Sequence, residues 1–109
     1  DIERFEFDGW ILDTSNHSLT DPGGVNHSIS HGEYSLLKVF LENSGRTLNR
    51  DQLLDHTKGR TAGPFDRAID VQVGRLRKRL NDTAAEPAMI KTIRGEGYIF
   101  VTKVKKVHQ

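Results

Sequence analysis

The chain has 109 residues, 16 Lys and Arg against 15 Asp and Glu for a net charge of +1, 35% hydrophobic residues and no cysteine. That length supports one domain whose core buries roughly two-thirds of the unfolded surface, and it excludes a second independent domain. The absent thiols exclude disulfide staples, Cys-ligated zinc, iron-sulfur clusters and thiol nucleophiles, and with no apolar run near the roughly 18 to 20 residues of a membrane helix and no leader-like start, a soluble, intracellular chain is expected.

The first 29 residues alternate in short bursts, Arg4 to Phe7, Trp10 to Asp13, Ser18 to Thr20 and Val25 to Ile29. Asp8-Gly9, Thr14-Ser15-Asn16 and Asp21-Pro22-Gly23-Gly24 separate them as turn-forming stretches, so the spacing predicts a four-stranded antiparallel meander with Phe5, Phe7 and Trp10 packed inside.

Ser30-His31-Gly32-Glu33 has the form of a capping box, in which hydroxyl and carboxylate satisfy the orphan amides of a helix start. Tyr34, Leu37, Phe40 and Leu41 follow at helical spacing, and Gly45 is expected to stop the run. Asn49-Arg50-Asp51-Gln52 repeats the box and opens a second, shorter helix, with room at Thr47-Leu48 for one bridging strand.

After a polar loop, Lys58 to Gly63, Pro64 sits well in the first turn of a third helix over about 64–81. At roughly 100° per residue, Phe65, Ile69, Val73, Leu76 and Leu80 fall within about 80° of one another. Opposite that stripe lie Arg67, Val71, Gly74, Arg75 and Lys78, with Arg77 and Arg79 on the flanks, and Asn81 and Pro87 end the run. Residues 1–33 carry one base, Arg4, against seven acids, a net of −6, so the remainder carries +7. Gly74 to Leu80 alone holds four bases and no acid, a local concentration that suits a polyanion better than the whole-chain balance suggests. Last come two β-rich runs, Ile90 to Arg94 and Tyr98 to Val101, around Gly95-Glu96-Gly97, which together predict a hairpin over 90–101. Residues 102–109, with Lys103, Lys105 and Lys106, read as a solvated tail.

Two helices leading to a third with a basic outer face, then a hairpin, describe a winged helix-turn-helix of the α+β class. A helix fits the major groove, where base edges are distinguishable, and needs cations and short side chains on its outer face. Val71 in a basic, solvent-facing arc suits a thymine methyl. Gly74 costs a helix about 1 kcal/mol against alanine but permits close approach. Arg94, at the mouth of the hairpin turn, suits a narrow, negative minor groove.

The stretch from Ile29 to Phe100 resembles the OmpR/PhoB-type winged-helix effector domain of bacterial two-component response regulators, most nearly its OmpR branch. Ser30-x-x-Glu33-Tyr34-x-Leu36-Leu37, Asn49-Arg50-x-x-Leu53-Leu54, Arg67-x-Ile69 through Leu80, and Ile90-x-Thr92-Ile93-Arg94-Gly95-x-Gly97-Tyr98-x-Phe100 carry the resemblance. It implies that Arg75 and Val71 face bases, that Arg67, Gln72, Arg77, Lys78, Thr92 and Tyr98 face phosphates or the groove edge, and that Arg94 enters the minor groove. Relatives often place Ser or Arg where this chain has Gly74, so any contact from that position is lost here. The resemblance also implies that Lys58, Gly59, Arg60, Thr61, Ala62 and Gly63 touch RNA polymerase, and that a phosphorylatable receiver domain precedes this one. The lone Met89 and the start at Asp1 fit an excised carboxy-terminal domain.

The leading expectation is therefore sequence-specific binding of double-stranded DNA for transcriptional control in the bacterial cytoplasm, as a tandem or symmetric dimer on repeated half-sites, with monomer and dimer both open for the isolated domain. The alternative is an interaction module docking its basic helix on an acidic protein partner. Neither an enzyme nor a metal protein is expected, and no cofactor or small-molecule substrate. His17, His27, His31, His56 and His108 are scattered, and Gly95-x-Gly97 lacks the following helix of a phosphate loop.

Overall fold

The computed structural model describes residues 2–57, 67–82 and 88–108. Strands β1 (Ile2–Phe7) and β2 (Trp10–Asp13) meet at Asp8-Gly9, whose φ angles of +48° and +85° make the two-residue primed turn that matches strand twist. Strands β3 (Ser18–Thr20) and β4 (Asn26–His27) complete the expected meander. Its turns are held by carboxylates. Asp13 accepts from the amide and hydroxyl of Ser15, and Asp21 accepts from the amides of Gly23 and Val25. Alternation puts Phe5, Phe7, Trp10, Leu12 and Leu19 on the buried face, as period-2 side chains require.

Helix α1 (His31–Glu42) starts at the expected box: Ser30 Oγ accepts from the Glu33 amide at 3.1 Å, and Glu33 Oε1 accepts from the Ser30 amide at 3.2 Å. It ends two residues before the expected stop. Asn43 caps it, with its side-chain amide donating to Val39 O at 2.8 Å, and Gly45 instead turns the chain at φ +83° into β5 (Thr47–Leu48). Helix α2 (Arg50–Thr57) opens on reciprocal 2.8 Å bonds between Asn49 and Gln52. Helix α3 is described over Arg67–Arg79, and the expected start at Pro64 lies outside the described residues.

The wing strands are β6 (Ile90–Ile93) and β7 (Gly97–Phe100), and with β5 they form a three-stranded sheet in the order β5-β7-β6. The aliphatic faces of α1 and α3 meet the strands in one core, where Phe100 contacts Phe7 edge-on at 5.7 Å and lies near-parallel to Phe40.

The carboxy terminus corrects the expectation of a solvated tail over 102–109. Lys105–His108 form a further strand, β8, antiparallel to β1, so the amino-terminal sheet has five strands in the order β4-β3-β2-β1-β8. Without it, the edge of β1 would present unpaired amides and carbonyls. Glu6 sits directly opposite Lys105 in the register, an opposite-charge cross-strand placement, and the Lys105 side chain stays exposed.

Candidate nucleic-acid interface

The helix-turn-helix comes from where α2 and α3 bury their apolar stripes. Ile69, Val73, Leu76 and Leu80 are all at most 2% exposed, while Val71 is 50% exposed and Gly74, Arg75 and Lys78 are open to solvent. The expected division of the third helix thus stands for every one of these residues, and Phe65 lies outside the described ones. A Cβ added to Gly74 would meet nothing within 4 Å, so the glycine fills no packing need and leaves a gap in the outer face. Arg67 is the first described residue of the helix, and the expected polymerase-contacting loop at 58–63 lies outside the described residues.

Helix α3 ends in a motif that the sequence only half signals. Asn81, at φ +59°, donates to Lys78 O, and Asp82 donates to Arg77 O at 2.8 Å, the paired bonds of a Schellman cap. The Asp82 carboxylate, 7% exposed, then accepts from the amides of Ala88, Met89 and Ile90, which fastens the helix end to the start of β6. Sequence reading gave Asp82 no role. Its partners are six to eight residues on, beyond any helix or turn spacing.

The wing carries Arg94 exposed at its turn, with Thr92 exposed and Tyr98 buried beside it. Three of the expected phosphate-facing groups make bonds within the protein. Arg77 donates through Nε and Nη2 to Ile90 O and through Nη2 to Thr92 Oγ1. The Tyr98 hydroxyl donates to Asp70 Oδ1, and Arg50 Nη2 bridges both oxygens of Asp70 at 3.0 and 2.9 Å. Gln72 is half-buried near Gly32. Arg79 pairs with Glu33 at 3.3 Å, tying α3 to α1. A polar cleft of about 370 Å³ opens between the start of α2 and the wing, lined by Asn49, Arg50, Thr92, Gly95 and Tyr98 among others.

The charges follow these contacts. The Arg50 hydrogen bond first, then that of Tyr98, holds the Asp70 carboxyl below its usual range, while burial first, then the bond to Asp70, pushes Tyr98 up to about 12. A raised phenol favours the protonated, folded form. Stability from Tyr98 is therefore present below the unfolded value of about 10 and is lost as pH rises through about 12. Tyr98→Phe is expected to lower stability at pH 7 by about 1 to 2 kcal/mol and to flatten the loss above pH 10. Urea midpoints at pH 7, 9, 10 and 11 check this, and an unchanged alkaline slope would exclude Tyr98 as its source.

Of the histidines, His27 Nε2 meets Asp21 Oδ2 at 2.8 Å, and His17 stacks on Tyr34 at 3.8 Å. Among the described residues no helix is long and apolar enough to cross a membrane.

An exposed basic helix face over a buried apolar one, a capped preceding helix and a strand hairpin ending in an exposed arginine define a winged-helix domain of the nucleic-acid-binding class. The profile described as "Transcriptional regulatory protein, C terminal" matches residues 24–100, and the chain belongs to this OmpR/PhoB-type family. Similar proteins include the transcriptional regulatory protein AruR of Pseudomonas aeruginosa, 50% identical over 95 residues, covering 87% of this chain and 39% of that protein. Another is the aerobic respiration control protein ArcA of Escherichia coli K12, 38% identical over 99 residues, covering 91% of this chain and 42% of that protein. The chain thus spans well under half the length of these relatives. Among solved structures, the Klebsiella pneumoniae RstA DNA-binding domain in complex with RstA box superposes with a TM-score of 0.81 at 34% identity, covering 91% of this chain and 97% of that one.

Proposed function

We propose that this chain binds double-stranded DNA sequence-specifically to regulate transcription, as the effector domain of a response regulator, with α3 in the major groove and the wing in the minor groove. The observation that carries this reading is the outer face of α3: Val71 half exposed beside Gly74, Arg75 and Lys78, on a helix anchored by four buried aliphatic residues. The RstA domain solved with its DNA box supports it. Val71 and Arg75 read base edges, Lys78, Gln72 and Arg67 meet the backbone alongside Thr92 and Tyr98 at the mouth of the polar cleft, and Arg94 enters the minor groove. Two copies bind repeated half-sites. In the longer protein a receiver domain precedes this one, and segment 58–63 touches RNA polymerase in the bacterial cytoplasm; these assignments rest on the family resemblance. The domain is a binding module and not an enzyme.

Selection from a random duplex library at physiological salt tests the reading, with an enriched, repeated motif as the expected result. On that motif, Arg75→Ala is expected to cost about 1 to 3 kcal/mol and to relax base preference, and Lys78→Ala to weaken all sequences alike while making the slope of log K against log salt shallower by about 0.9. Equal losses for Arg75→Ala on the selected and a scrambled duplex would remove its base-reading role.

A further inference from the structure

Asp70 and Arg77 are seven residues apart, which places them on the same edge of α3, two turns and about 10 Å from each other. Both reach the wing. Asp70 takes the hydroxyl of Tyr98 in β7, and Arg77 spans β6, donating to Ile90 O at 2.7 and 3.1 Å and to Thr92 Oγ1 at 3.0 Å. Arg77 also lies over the Tyr98 ring at 5.8 Å, and Tyr98 is the cross-strand partner of Thr92. The guanidinium therefore contacts both strands of the hairpin from the helix beside it.

We infer that Arg77 is a positioning residue, which locks the wing at a fixed angle to the recognition helix and so sets where Arg94 meets DNA. This rests on the function proposed above. Two of the five guanidinium donors, Nε–H and an Nη2–H, converge on one carbonyl while the other Nη2–H reaches Thr92, a fork that a lysine ammonium cannot reproduce from a single nitrogen. Arg94 lies two residues beyond Thr92, at the turn. A hairpin pinned at Ile90 and Thr92 passes that placement directly to the arginine, whereas a hairpin free to pivot would spread it over many positions.

The charge-preserving variant separates this role from a phosphate contact. Arg77→Lys is expected to speed amide exchange in residues 90–100 of the free domain by about tenfold, with α1 amides unchanged. On the selected duplex it should weaken binding about tenfold with the salt slope unaltered. Arg94→Ala should cost far less in the Arg77→Lys background than alone, since neighbouring residues acting as a unit are not additive. Wild-type exchange and wild-type affinity in Arg77→Lys would overturn the inference. So would additive Arg77→Ala and Arg94→Ala losses with a slope shallower by about 0.9 in Arg77→Ala, the mark of a phosphate contact. Failure of every duplex to bind would defeat the DNA reading and with it the Arg94 step, while the exchange rates of the free domain would still decide whether Arg77 holds the wing.

Discussion

Replacing Gly97 by alanine is expected to cost about 3 to 5 kcal/mol, because overpacking and a left-handed backbone each contribute up to about 3. Gly97 opens β7 at φ +142°, and a Cβ there would stand 2.1 Å from Leu48 O and 2.8 Å from Asn49 Cα. Both are backbone atoms, so no side-chain rotation relieves the clash. Either β5 leaves β7 or the wing shifts away from α2. Gly95, two residues earlier at φ +74°, is the control: an added Cβ meets nothing within 4 Å, so Gly95→Ala is expected to cost only the conformational penalty of about 1 to 2 kcal/mol. Urea unfolding of the two variants side by side decides the matter. A Gly97→Ala cost equal to that of Gly95→Ala would mean that the strand junction yields and the close approach is not structural.

The elements that sequence made legible are those written in local periodicity and capping chemistry. The Ser30 and Asn49 boxes, the Asp8-Gly9 turn and the apolar stripe of α3 each lie within a few residues, and each is found where spacing put it. The last strand was illegible for the opposite reason. Lys105–His108 is short and basic, and only β1, about a hundred residues earlier in the chain, supplies the edge that orders it. Asn43 replaced Gly45 as the helix stop because its side chain reaches back to Val39 O, a local bond competing with a glycine signal two residues on.

The outer face of the recognition helix was equally legible, since burying Ile69, Val73, Leu76 and Leu80 leaves Val71, Arg75 and Lys78 nowhere but outside. The flank was not. Helical angles place Arg77 at the boundary between core and solvent, and what it bonds there depends on a carbonyl 13 residues away. Asp70, likewise, finds Arg50 and Tyr98 at separations of 20 and 28 residues. Each pairing joins two elements of the helix-turn-helix and wing, so the connections that set their relative angles are the ones a linear reading leaves out.

Asp82→Ala is expected to be the most destabilising polar substitution in the described part of the chain, at about 3 kcal/mol, because a buried bond to a charged acceptor is worth about 1.5 kcal/mol at the lower end of its range and the two buried amides, of Met89 and Ile90, lose theirs together. The donors at Ala88, Met89 and Ile90 lie 2.6 to 3.2 Å from the carboxylate, and Met89 and Ile90 are themselves 5% exposed or less. Water cannot readily replace the lost acceptor at those two positions. A domain of this size should lose roughly 10 to 20 °C in Tm. Asp82→Asn keeps one acceptor oxygen but turns an amide donor toward N–H groups, so it should fall between wild type and alanine. The effect is expected to travel: Ile90 O is the acceptor for Arg77, so a loosened Ile90 should also free the wing from α3. Amide exchange at 90–100 should then rise more in Asp82→Ala than global destabilisation requires. Exchange that tracks the global loss alone would confine Asp82 to stability and leave Arg77 as the attachment of the wing.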